Sequence, residues 1–449
     1  MKSSRRSRLR AIVITAVPLT VVVFALIVWR LVTDAAPPDT RDLTFRTRPV
    51  SDAENGLALL LFAKDDLYWP RDKRFKAVLR GEAWHGDVVE EVLQKNAPLL
   101  DKLERSLETT DFVYKKEYRD FLSDSESPGP PKSNVLFWNL PRIVALRAQA
   151  AHREGAHERA LADAFTLVEF AQKIKRSQMP YILDGYLVEG WGYKQLVTTL
   201  SESDPDAALV RTSIDRLKRS EPQLRAFQES LRNAYEAAAL GVDHVTWEEY
   251  KNTHVWFEHR AVTKASVLFF MPESTKAELA KIIRQTIHHL DTEALNVPFP
   301  TIDTSDAPFF VAHNPRSQDF LDSRYQERFQ RALLTERVNY GLTTLFLALK
   351  AHHLDHGRLP ERLEELVPTY VNELPVDPFD GKPLRYDPVR LRIYSTGIHA
   401  PVKQEGVDTV ALPEWFNRKA LVLGLKVTGA PKAQLKVHDP VFVWNSRFY

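Results

Sequence analysis

Cysteine is absent from the 449 residues. That excludes disulfides, thiolate zinc sites, iron–sulfur clusters and cysteine nucleophiles together. A chain of this length holds two or three domains and buries enough surface to be stable without cross-links. Acidic residues are absent from the first 33 positions, which carry six cations: Lys2, Arg5, Arg6, Arg8, Arg10 and Arg30. The remainder therefore has 55 basic against 59 acidic residues. So mildly acidic a body argues against a nucleic-acid partner. No Gly-x-Ser-x-Gly elbow, P-loop or dinucleotide fingerprint occurs, so the common signatures of nucleophilic and nucleotide chemistry are missing.

What the chain does have is an uncharged run, Ala11 to Trp29, directly after the basic residues 1–10. About 20 apolar residues cross a bilayer as a helix, and residues 11–32 meet that length. Trp29 and Arg30 suit the far interface, and the cationic residues before the run place the N-terminus in the cytoplasm. The sequence thus predicts a single-pass inner-membrane anchor in contact with the lipid bilayer through residues 11–32, with a periplasmic or otherwise extracytoplasmic body. A cleaved signal peptide is the rival, but the run exceeds the usual length and Asp34-Ala35-Ala36 is a poor cleavage site.

The expected fold class is mainly α. A cytoplasmic tail (1–10) and the transmembrane helix (11–32) precede a polar, Pro-containing stalk (33–50), a helical domain (51–323), an α+β module with antiparallel strands (324–410) and a β-rich extension (411–449). Apolar spacing predicts helices over Asp52–Lys64, Asp87–Thr109, Tyr181–Leu200, Asp206–Ser220, Pro222–Leu240, Pro272–Leu290 and Arg324–Leu354. Pro98 should kink or split the second. Residues 141–176 read as a helical hairpin that starts at Pro141 and turns at Gly155. The small residues on its facing sides resemble one unit of a tetratricopeptide array, although no second copy follows at a fixed period. Gly185, Gly190 and Gly192 reduce helix propensity, and close approach of a neighbouring backbone is the expected reason.

Near the C-terminus, Asp355-His356-Gly357-Arg358-Leu359-Pro360, Asp377-Pro378-Phe379-Asp380-Gly381 and Tyr394-Ser395-Thr396-Gly397 follow one another. The two middle dipeptides, Asp377-Pro378 and Asp380-Gly381, are turn formers, and short antiparallel strands are expected at Leu384–Tyr386 and Leu391–Ser395. The order of these motifs resembles the globular end of type II secretion pseudopilins over residues 349–397. The chain as a whole, from an Asp52-Ala53-Glu54-Asn55-Gly56 start, is similar to single-pass bacterial membrane proteins that carry this module behind a helical region. The prepilin-peptidase site of true pseudopilins is missing. After the Tyr-Ser-x-Gly strand only Glu405 and Asp408 are offered for calcium, fewer oxygens than that ion takes.

Three groups are candidates for chemistry. His352 and His356 are four apart on one helix face, which is metal spacing, but position 353 lacks the Glu of a His-Glu-x-x-His site and a solvated helix end is the preferred reading. His288-His289 is a weaker case. Asp184 and Glu189 lie in an apolar helix beside Tyr181, Tyr186 and Trp191, where a carboxylate becomes a general acid or base, or forms a buried ion pair with Arg142 or Arg147. No catalytic, cofactor-binding or metal residue is assigned. The sequence therefore points to a membrane-anchored extracytoplasmic scaffold acting through contacts with other proteins. The alternatives are an extracytoplasmic, hydrolase-like enzyme using carboxylates or histidine in a helical cleft, and a secretion- or pilus-associated subunit.

Overall fold

A computed structural model describes residues 33–44, 50–113, 115, 132–177, 182–203, 205–243, 269–293, 323–389, 392–396, 422–428 and 434–438, with scattered positions between 21 and 29 and between 295 and 321. The chain divides into two compact units. One comprises residues 1–45, 235–286 and 300–324, and the other 46–234, 287–299 and 325–449.

The larger unit is built on helices: α1 (Gly56–Leu61), α2 (Lys73–Leu79), α3 (Gly86–Glu108), α4 (Lys132–Arg153), α5 (His157–Arg176), α6 (Ile182–Glu202) and α7 (Ala207–Lys218). Next come α8 (Leu224–Asp243), α9 (Pro272–Thr292), α10 (Phe309–His313) and α11 (Ser323–His356), which bring in or border the smaller unit. Pro98 neither splits nor ends α3, which buries Leu99, Leu100 and Leu103 beyond it. The hairpin also begins earlier than expected, with Pro141 inside α4. Leu136, Phe137 and Leu140 are fully buried just before that proline, so packing outweighs its helix-breaking tendency. Gly155 does end the helix, in the left-handed region at φ 77°.

Helix α5 contributes to two apolar cores. Leu161, Phe165 and Val168 pack with residues of α6, α7 and α11, among them Leu196, Ile214 and Phe346. Phe170 and Ile174 pack instead with Leu57, Val92, Leu103 and Phe137. The close approach of α5 and α6 depends on glycine. A Cβ at Gly192 would lie 2.9 Å from the Ala164 carbonyl oxygen, and one at Gly185 would lie 3.0 Å from that of Ala171. Gly190 has no such constraint, its nearest neighbour being 3.7 Å away.

After α11 the chain forms a short 3-10 turn, Leu363–Leu366, and a four-stranded antiparallel sheet in sequence order: β1 (Arg385–Asp387), β2 (Arg392–Tyr394), β3 (Val422–Thr428) and β4 (Gln434–His438). The first pair registers Tyr386 against Ile393, whose side chain is fully buried. Asp377 organises the loop before it. This completely buried carboxylate accepts hydrogen bonds from the Phe379 and Thr396 amides, from the Ser395 hydroxyl and from Arg385. Arg385 also pairs with Asp380. The turn motifs therefore close on one acid.

The smaller unit alters the picture of residues 33–50. Asp34 accepts hydrogen bonds from the Glu273 and Ser274 amides and from the Ser274 hydroxyl, so it caps α9 from 240 residues away. Arg284 on the same helix binds Asp42 through both carboxylate oxygens, and Leu43 is buried. The first half of the expected stalk is thus strapped to α9.

The transmembrane part of the expected fold class is corrected. Residues 11–20 lie outside the described residues, and helical backbone is described only at six positions between Val21 and Trp29. Among the described residues no helix is long and apolar enough to cross a membrane. The expectation came from a count of apolar residues over 11–32, which meets the length rule without testing for a helix. The mainly helical class stands, without that span. The single-pass topology and the placement of the body outside the cytoplasm had been inferred from it.

Asp377→Ala removes the acceptor shared by two amides, a hydroxyl and a half-buried arginine. It is expected to cost about 3–5 kcal/mol of stability, as for one partner lost from a buried pair. Faster hydrogen exchange at the Phe379 and Thr396 amides, with the α5–α6 amides unchanged, is the measurement.

Candidate functional site

Lys175 sits in the last turn of α5, on the same buried side as Val168 and Ala171. Its ammonium binds Glu189 of α6 at 2.9 Å and also contacts Glu336 of α11. All three side chains are at least nine-tenths buried. The ammonium also lies 4.9 Å from the centre of the Tyr186 ring, a cation–π arrangement. Behind it, the Ser230 hydroxyl donates to the Lys175 carbonyl. The close α5–α6 packing brings Lys175 to Glu189, and the long α11 supplies the second acid.

One cation facing two carboxylates leaves an excess negative charge in a dry interior, and such sites relieve it by holding a proton. Burial, together with the neighbouring Glu336, pushes the Glu189 carboxyl up to about 8 against the pull of Lys175. Burial opposes the charge on Lys175, but the two acids outweigh it and hold that ammonium above its ordinary range. Tyr186 and Tyr193 are raised by burial as well, so both hydroxyls stay neutral. Among the described residues the nearby Asn339 side-chain oxygen is buried with no hydrogen-bond partner. Beside Lys175 and Glu336, a cavity of about 20 Å³ opens between Tyr186, Phe227 and Ser230. That is room for about one water molecule. The arrangement can hold a proton beside a space that takes about one water molecule.

The remaining candidates are placed elsewhere. Asp184, in the first turn of α6, is raised to about 7 by burial. The expected arginine partners are engaged differently. Arg147 binds Asp163 at 2.6 Å and Glu104 at 2.8 Å, while Arg142 lies over the Trp138 and Trp191 rings. The His352 and His356 rings stack at 4.3 Å. Their Nδ1 atoms are 3.1 Å from the carbonyls of Arg358 and His352 respectively. Next to them Tyr370 donates to Asp355, which Arg211 also binds. His289 is turned to the Val297 carbonyl. Among the described residues no three His, Asp or Glu side chains gather as metal ligands. Tyr181, Glu405 and Asp408 lie outside the described residues.

Lys175 and Glu336 were missed in the sequence. A signal existed: Lys175 continues the apolar stripe through Val168 and Ala171, and Glu336 falls three residues after Leu333 on the stripe of its helix. A charge on an apolar stripe needs a partner, although the sequence does not say which.

No protein-family model matches the chain, and no curated protein or solved structure matches it significantly.

Two outcomes test the site. Lys175→Met leaves two acids without their cation and is expected to destabilise the fold by about 3–5 kcal/mol, with most of that recovered in Lys175→Met/Glu189→Gln. Urea unfolding of the single and double variants reports both. Because Glu189 titrates near 4.5 when unfolded and about 8 when folded, the folded chain holds the extra proton between those values. Stability therefore falls as pH rises across that window, and Asp184 acts in the same direction from about 3.8 to 7. Urea midpoints should decline between those limits in the wild type and decline less in Glu189→Gln.

Proposed function

We propose that the chain is a helical scaffold that works by contact with other proteins while attached to a lipid bilayer through residues 11–32. The observation that carries this is a row of uncovered apolar side chains. Val21, Val22, Phe24 and Trp29 are each more than half exposed, and Val28 is more than a third exposed. A water-facing helix rarely leaves so many large apolar groups together, and a surface of that kind marks a membrane or protein contact. The basic residues 1–10 beside it add attraction to anionic headgroups. Lipid contact is what the proposal requires, and a crossing helix is not part of it.

A second reading, a hydrolase-like enzyme, has the Lys175–Glu189–Glu336 centre in its favour. Against it stands the small volume of the adjoining cavity, about 20 Å³, which favours the contact reading. A pilus or secretion role rests on the order of motifs in residues 349–397 alone.

Purified full-length chain should float with phosphatidylcholine vesicles in a density gradient and stay bound in high salt. A variant with Val21, Val22, Phe24 and Trp29 changed to serine should remain at the bottom. Equal behaviour of the two would sink the lipid part of the proposal. Cross-linking in intact cells should give discrete adducts with other proteins, and self-adducts alone would count against a scaffold.

A further inference from the structure

The smaller unit has a second uncovered apolar patch. Phe269 stacks on Phe310 with ring centres 5.1 Å apart and planes 8° from parallel. Phe309 meets Phe310 edge-on at 5.5 Å and stacks on His313 at 4.5 Å. Phe309 is 59% exposed and Phe269 36%. Three phenyl rings and an imidazole are therefore ordered against each other while part of their surface faces outward.

The position of the patch identifies its occupant. The Thr33 amide bonds to the Trp29 carbonyl, which ties the exposed row at its Trp29 end to residue 33. Asp34 then binds the first turn of α9 at Glu273 and Ser274. Phe269 lies three residues before α9 begins. The exposed row ending at Trp29 and the aromatic patch are thus joined to the same end of one helix, within one compact unit.

We propose that Phe269, Phe309 and Phe310, with His313 at their edge, form a second lipid contact that beds in the headgroup layer of the bilayer engaged by residues 11–32. It rests on the bilayer attachment proposed above. Aromatic rings with a polar edge favour that depth, where one side is apolar and the other wet. Asp303 and Asp306 precede the patch in sequence and bring no positive charge. The contact is therefore apolar in origin and works on zwitterionic lipid.

The absence of cysteine makes the test direct. Phe309→Cys and Phe269→Cys, each labelled with nitrobenzoxadiazole, are mixed with phosphatidylcholine vesicles containing brominated acyl chains. Val389→Cys, at a site 90% exposed in the other unit, is the control. Labels at 309 and 269 should shift to the blue and be quenched, and the label at 389 should do neither. In unlabelled protein, Phe309→Ser is expected to weaken vesicle partitioning by about tenfold, the effect of one phenyl group leaving an apolar contact. Protein that floats while the labels at 309 and 269 remain in water would overturn the aromatic contact and leave the attachment through 11–32 intact. Protein that does not float at all would remove both. A blue shift without vesicles that grows with protein concentration would assign the patch to a second copy of the chain and overturn the lipid contact.

Discussion

The Lys175 ammonium ties together the three helices on which the larger unit depends. α5, α6 and α11 meet at its two acids, and the helix pair that brings Glu189 within reach can approach only because Gly185 and Gly192 lack a side chain. Removing ions from water is costly, and a buried pair often stabilises no more than apolar residues of the same volume would. What the cluster supplies is specificity. An apolar interface tolerates a slide by one turn, whereas a cation held between two carboxylates fixes the register of all three helices. The retained proton is part of that fix, since it lets two acids share one counter-charge.

Charge is handled in the same manner elsewhere in the larger unit. Arg147 joins Asp163 and Glu104, and Arg385 joins Asp377 and Asp380, so each guanidinium bridges two acids. In a chain without cysteine these polar junctions do part of what disulfides do in other proteins. Arg147 connects α4 to α3 and α5, while Arg385 closes a local turn, and unlike covalent links both respond to pH. Apolar burial remains the larger contribution to stability.

Much of the helical architecture was legible from period alone, because Leu, Val and Ala recur at helical spacing in α3, α5, α6 and α11. The C-terminal turns were legible because Asp-Pro and Asp-Gly have few conformational choices. Pro141 was misread since local propensity does not register the burial of Leu136 and Phe137 around it. The Lys175 site was only half legible. Glu189 stood out as an acid among apolar neighbours, but the second acid, Glu336, lies 161 positions from Lys175 and no local pattern encodes such a pairing. Nor could the sequence show that residues 34–42, polar and proline-flanked, lie along α9 rather than act as a free spacer. The apolar run at 11–32 was read as a span on composition, which measures length and polarity but not conformation.

Asp34 has a mechanical consequence. Whatever residues 11–32 adhere to, tension on that segment first meets the bonds of one carboxylate to the first turn of α9. A helix cap is worth roughly 1 kcal/mol. Load applied at the N-terminus would meet this cap before the Asp42–Arg284 pair further along the same helix.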